Sequence, residues 1–263
     1  MHVQKERFAM NRKEFIKIAA AAAVSAPLRG FGKSAGAKRP KVYFTSDISP
    51  EGLLAAYRAL GFSAKGKVGV KIHSGEPGGH NFLQPDFIKP VVDYLHGTLV
   101  ECNTAYEGRR NTTEKHLKAI EEHGFTKIAP VDIMDSEGEL VLEIPDGLQI
   151  KKNFVGSHLK NYDSLVVLSH FKGHQMGGFG GALKNISIGI ASSHGKAYIH
   201  GAGDPSRLWD CEQNKFLESM ADACKSIVEY RKGAIAYVNV MKNLSIDCNN
   251  HPAAPEMADI GIL

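Results

Sequence analysis

The sequence predicts an α/β fold: a mostly parallel sheet with helices on both faces and a site at the carboxyl edge of the strands. Three observations predict it. Short β-rich runs alternate with stretches of helical period along most of the chain, as repeated βα units do. Leu165–Ser169 is an apolar run of the kind buried on both faces, and Ala234–Met241 reads as a second buried strand. The composition, 43% hydrophobic and 23% charged over 263 residues, fits a globular domain and excludes collagen, coiled coil and disorder. A chain this long buries about three quarters of its unfolded surface and needs no staples.

The elements follow in order. Lys41–Ser46 and Lys67–Ile72 read as strands, with a helix over Pro50–Phe62 between them on which Leu53, Leu54, Tyr57 and Leu60 share a face. Pro85–Leu95 is the next helix, stopped by Gly97, and Thr98–Cys102 the next strand. Thr112–His123 is a helix ended by Gly124, and Ile128–Ile150 an irregular stretch with short strands. After the Leu165 strand, residues 210–231 form a long helix leading into Ala234–Met241. The chain stops at Asp259–Leu263 inside an apolar run, which is read as a truncated strand.

Residues 1–37 read as a twin-arginine-type signal peptide. Asn11-Arg12-Lys13-Glu14-Phe15-Ile16-Lys17 precedes an alanine-rich stretch from Ile18 to Pro27, and Ala35-Gly36-Ala37 offers a small-x-small cleavage site. Lys13 stands where the second Arg belongs; the competing reading is a short amphipathic helix on a protein that is not exported. Export places residues 38–263, one α/β domain, in the periplasm, tethered to the membrane only if the signal stays uncleaved. The signal also explains the charge. Seven Lys/Arg and two Glu fall in it, leaving 25 basic and 26 acidic side chains on the rest. A near-neutral body without a basic stripe argues against a nucleic-acid partner. Cys102, Cys211, Cys224 and Cys248 include no Cys-x-x-Cys pair, so no iron–sulfur cluster is encoded.

Chemistry concentrates in residues 170–200. Six glycines, among them Gly177, Gly178, Gly180 and Gly181, follow the buried strand, where an open parallel sheet binds ligands. Glycine lets the backbone approach a phosphate or carboxylate closely. His170, His174, His194 and His200 add metal ligands and acid–base groups, and Lys184 a covalent anchor. Each of these residues alone also fits a glycine-rich surface turn; the cluster together reads as a site. His73-Ser74-Gly75-Glu76-Pro77-Gly78-Gly79-His80 repeats the layout after the strand ending in Lys71-Ile72, so the two loops open on one edge. Arg109 and Arg110 precede a helix start, and Arg109 or Lys71 is expected to hold a substrate anion.

The segments Lys71-x-His73-x-Gly75-Glu76-Pro77-Gly78, Gly108-Arg109-Arg110, Lys172-Gly-His174-Gln-Met-Gly-Gly-Phe-Gly-Gly-Ala-Leu-Lys184-Asn185 and Asp247-Cys248 with Asp259-Ile260-Gly261 together resemble domain-of-unknown-function family 362. The likeness runs from about residue 41 to the end. Relatives often carry a four-cysteine ferredoxin-like insert, absent here, and continue past the Asp-Ile-Gly segment. A fainter resemblance, in His174, Lys184 ten residues on and His200 sixteen further, is to the catalytic core of nickel-pincer lactate racemases. It implies Lys184 as the tether of a nickel-carrying nucleotide, His200 as a metal ligand and His174 as an acid–base group. The second histidine of that family falls at Gly108 here. The expectation is therefore redox- or isomerase-type chemistry on a small anionic metabolite, with a nickel-pincer nucleotide or another single metal. Its competitors are a non-catalytic binding or electron-transfer protein working with an iron–sulfur partner, and a defunct fragment.

Overall fold

The computed structural model of the chain describes residues 40–245 and 259–263. The signal read over residues 1–37 and the Asp247-Cys248 pair lie outside them. The described residues from 42 onward form one compact unit. No helix among the described residues is long and apolar enough to cross a membrane.

Among the described residues six strands make the central sheet: β1 (Val68–Lys71), β2 (Thr98–Glu101), β3 (Val131–Ile133), β6 (Ser164–His170), β9 (Ile235–Met241) and β10 (Gly261–Ile262). Their spatial order is β10-β9-β6-β1-β2-β3, and every neighbouring pair is parallel except β10 with β9. Two hairpins stand apart from it, β4 (Glu139–Glu143) with β5 (Lys152–Gly156) and β7 (Lys172–His174) with β8 (Gly178–Gly180). The chain first steps outward, β1 to β2 to β3, then returns to lay β6 on the other side of β1. The order therefore reverses between β1 and β6, and at such a point the carboxyl ends of adjacent strands diverge into a crevice.

The expected fold class is what the structure shows. Strand β6 is buried at all seven positions, and its residues alternate between two cores. Val166 and Leu168 face a core built with α1 (Pro50–Ala59) and α2 (Pro85–Leu95). Leu165 and Val167 face the other core with Ile186 and Ile227, from α4 (Ala182–Ser187) and α6 (Gln213–Arg231). Helix α3 (Thr113–Glu122) adds Ile120 to the first core, and a third cluster around Phe216 and Ile199 seats α5 (Ser193–His200) on α6. Helix starts follow local chemistry: Ser49, Thr112 and Ser192 cap α1, α3 and α5 through their side-chain oxygens, and Pro50 and Pro85 open α1 and α2.

Two expectations change. Lys41–Ser46 is not a strand; it contributes one antiparallel bridge, Thr45 to Ile262, and Val42 and Phe44 stay exposed, because the neighbouring β10 is only two residues long. The Gly-rich run after β6 is not an open loop but the β7–β8 hairpin, with Gly178 at φ +72°, a value glycine adopts without strain. The irregular stretch resolves into β3, β4 and a loop fixed by one side chain. Asp222 of α6 accepts backbone N–H bonds from Leu148, Gln149 and Ile150, at 2.9, 2.6 and 2.9 Å.

Asp222→Ala strands three loop N–H groups, those of Leu148, Gln149 and Ile150, none of them in a strand. The expected loss is about 3 kcal/mol of unfolding free energy in urea titration, against about 1 kcal/mol or less for the surface variant Glu143→Ala.

Candidate functional site

A cavity of about 250 Å³ opens at the carboxyl ends of β1, β2 and β6, where the strand order reverses. One lining residue, Glu101, belongs to a buried ion pair. Lys71, the last residue of β1, donates from Nζ to Glu101 Oε2 at 2.7 Å, and Glu101 is the last residue of β2. The same ammonium donates to Asn185 Oδ1 at 2.9 Å and to the Ile72 carbonyl. Those contacts use its three N–H groups, and the side chain has no exposed surface. Glu101 Oε1 in turn accepts from the Ser74 amide at 2.8 Å. Burial alone would raise the Glu101 carboxyl, but Lys71, then His116 and Arg110, override it and hold its pKa at about 2.

Lys71, expected to hold a substrate anion, is thus occupied within the protein. Arg109, the other expected anion holder, is exposed and pairs with Glu122 on the surface at 2.6 Å. Its neighbour Arg110 lines the cavity instead and grips the Glu76 carboxylate, to which the Tyr106 hydroxyl also donates at 2.8 Å. One residue of offset decides this, because Arg110 is nearly fully buried while Arg109 points away.

His174, Lys184 and His200 all line the same cavity. The β7–β8 hairpin turns the chain back on itself, so that Gly177 lies between two of them. A Cβ there would stand 3.6 Å from His174 Nδ1 and 3.7 Å from Lys184 Cδ. Gly180 and Gly181 line the cavity, whereas Gly177 sits in the hairpin turn and Gly178 opens β8 opposite His174. Gly181 admits no side chain readily, since a Cβ would meet Asn239 Oδ1 and the Phe171 ring at 3.0 Å each. Lys184 follows on α4, whose position is fixed by the Lys71–Asn185 bond.

The two histidines are held in opposite tautomers. His174 Nδ1 accepts from the Met176 and Gly177 amides at 3.2 and 3.0 Å, so a neutral ring carries its proton on Nε2. His200 Nδ1 stands 2.7 Å from the Lys196 carbonyl oxygen, which can only accept. The proton is therefore on Nδ1, and the Nε2 lone pair is left for a ligand or metal. The His200 ring stacks on Phe216, with centroids 4.8 Å apart. Burial first, then the charge of Lys184, pushes His174 down to about 3 and His200 to about 4. His170 is depressed to about 4 and His73 well below the usual range for the same reason, with Lys172 and Arg110 among the neighbouring charges. The depression favours the neutral imidazole at His174 and His200 at pH 7.

The cavity is strongly cationic: Arg110, Lys172, Lys184 and Lys196 line it against one carboxylate, Glu101. Lys172 and Lys196 are buried, and Lys196 donates to the Ala191 carbonyl at 2.5 Å. Cys102 also lines it, its thiol pushed up to about 12 by burial, and so inert at neutral pH. His80 and His194, noted for their spacing, are exposed and lie outside it, as does Gly108. Among the described residues no three His, Cys, Asp or Glu side chains are placed to hold a metal ion by themselves.

Sequence reading missed Glu101, Lys196 and Trp209. Lys196 had a signal, standing four residues before His200 on one helix face. Glu101 had one too, as a lone carboxylate ending an apolar strand. Trp209 had none.

The family model described as "Domain of unknown function (DUF362)" matches residues 68–263. None of the curated proteins matches. Among solved structures, the apoprotein of lactate racemase from Thermoanaerobacterium thermosaccharolyticum is similar over 78% of this chain and 52% of its own, at 18% identity and a TM-score of 0.48. A structural-genomics crystal structure of a Thermotoga maritima protein is similar over 77% and 52%, at 15% identity and a TM-score of 0.47. The chain spans about half the length of each.

Lys71→Met leaves the Glu101 carboxylate buried without its main partner, and the expected cost is about 3–5 kcal/mol in chemical denaturation; adding Glu101→Gln restores much of it. The pH sign follows from the depressed carboxyl. Its contribution to stability is complete above the unfolded value near 4.3 and is lost as pH falls toward 2. Glu101→Gln is expected to flatten the fall in unfolding free energy between about pH 5 and pH 2 relative to the parent.

Proposed function

We propose that this chain, which belongs to the domain-of-unknown-function family DUF362, binds a small anion beside a tethered metal-carrying cofactor and carries out redox- or isomerase-type chemistry on that anion. The observation that carries the reading is the convergence of His174, Lys184 and His200 on one cation-lined cavity, with the His200 Nε2 lone pair left open by the Lys196 carbonyl.

The residues present fit a group that brings most of its own metal donors. The protein offers one neutral imidazole rather than a closed ligand set, and a lone imidazole leaves the other positions to the group and to substrate. Lys184 would hold such a group covalently, His200 would ligate its metal, and Gly180 and Gly181 would let it lie close to the backbone. A nickel-pincer nucleotide, when bound, supplies reversible two-electron acceptance from a substrate carbon. The chain's own residues do the rest. Arg110, anchored by Glu76, and buried Lys172 supply the positive field that draws an anion inward. His174 donates from Nε2 to an oxygen of that anion; proton exchange there requires its two backbone contacts on Nδ1 to break first. The low-dielectric surroundings that keep the imidazoles neutral also strengthen each of these contacts.

Within this proposal the protein is exported on the twin-arginine-type signal and works in the periplasm. A second reading, a non-catalytic carrier or electron-transfer partner, draws on Gly108. That residue is exposed and lies outside the cavity, where the racemase-like pattern has a second histidine.

The test is the intact mass and metal content of the protein isolated from its own host. The expected result is a stoichiometric metal and a mass increment mapping to Lys184, both abolished in Lys184→Ala, with His200→Ala losing metal but keeping the increment. An unmodified chain without metal overturns the tethered-cofactor reading and leaves the carrier.

A further inference from the structure

The mouth of the cavity differs in kind from its floor. Trp209, the chain's one tryptophan, is 68% exposed at the opening. A tryptophan left so open forgoes burial of the largest apolar side chain, and most tryptophans are well buried. It is nonetheless held in place. Its ring lies 6.0 Å from that of Tyr106, tilted by 46°, within the range of a favourable aromatic pair. Tyr106 is fixed through its hydroxyl to Glu76, the carboxylate that Arg110 also grips. Leu208 and Met176 also line the cavity, and of its cations Arg110, Lys172 and Lys196 are buried where Trp209 is exposed.

The opening thus grades from an aromatic rim to a cationic floor, linked by the Tyr106–Glu76–Arg110 chain. An oxyanion alone would use only the floor. We propose that Trp209 and Tyr106 form a stacking platform for a planar ring on the ligand, so that the cavity takes a ring-bearing organic anion in preference to a bare one. The inference rests on the anion-binding reading above and adds the class of molecule. Trp209 and Tyr106 are its specificity-determining residues: the floor takes the charge and the rim selects what the charge is attached to.

Calorimetric titration of the full chain with phenyl phosphate and with inorganic phosphate at pH 8 compares the same dianionic head with and without a ring. The expected result is about tenfold or greater preference for phenyl phosphate, with a change in the emission of Trp209 on binding. Trp209→Ala is expected to bring the ratio of the two affinities toward one, and Trp209→Phe to keep most of it. Equal affinities in the parent protein, or a preference that survives in Trp209→Ala, overturns the platform while leaving the anion site standing. If neither anion binds at millimolar concentration, the anion-binding reading falls, and the platform with it.

Discussion

The buried pair between Lys71 and Glu101 is the constraint around which the rest of the site is arranged. Two adjacent parallel strands end in opposite charges, and both side chains are out of water. Such a pair gains from its Coulomb attraction only if the remaining donors and acceptors are also met. Here they are met by parts of the chain far apart in sequence: Asn185 from α4, the Ser74 amide from the loop after β1, and Arg110 at 4.0 Å from the loop after β2. Satisfying one ion pair therefore fixes one helix and two loops at the sheet's carboxyl edge. A Cβ at Gly189 would stand 2.2 Å from the Asn185 carbonyl oxygen, and 2.9 Å from both Asn185 Oδ1 and Lys71 Nζ, so the backbone of α4 first, and then this cluster, requires glycine there.

That arrangement sets the electrostatics of the cavity. Glu101 is largely spent on Lys71 and Glu76 on Arg110, and Glu101 is the one carboxylate among the lining residues beside Arg110, Lys172, Lys184 and Lys196. Positive surroundings and burial act in one direction on an imidazole, and every histidine of the cavity is depressed. Neutral rings serve as ligands or as directed donors, and the backbone decides which. A carbonyl facing Nδ1 frees the lone pair of His200, and two amides facing Nδ1 put the proton of His174 outward. A field that neutralises histidines is also a field that attracts anions, so the two properties have one origin.

Much of the fold was legible in the sequence because its signals are local. Strand β6 is apolar over most of its length, α1, α2, α3 and α5 begin at Ser, Thr or Pro, and the alternation of elements implies a parallel sheet. Local signals also brought out His174, Lys184 and His200, since glycine, histidine and lysine at close spacing are uncommon in a purely structural turn. The exposed stretch over Lys41–Ser46 misled because a β-rich composition forms a strand only where a partner edge is long enough to pair with it.

What the sequence by itself determined is the class of sheet, the order of its elements and the segment that bears the chemistry, because each depends on neighbours within a few residues. Which cations face the cavity was decided only in three dimensions. Arg109 and Arg110 are adjacent and alike, yet one pairs with Glu122 at the surface and the other with Glu76 beside the cavity. Lys71 was drawn out of the binding role by Glu101, a residue thirty positions away that the sheet places at 2.7 Å. Charge pairing across strands depends on register and strand order, and those are set by packing of the whole sheet rather than by any short run of residues.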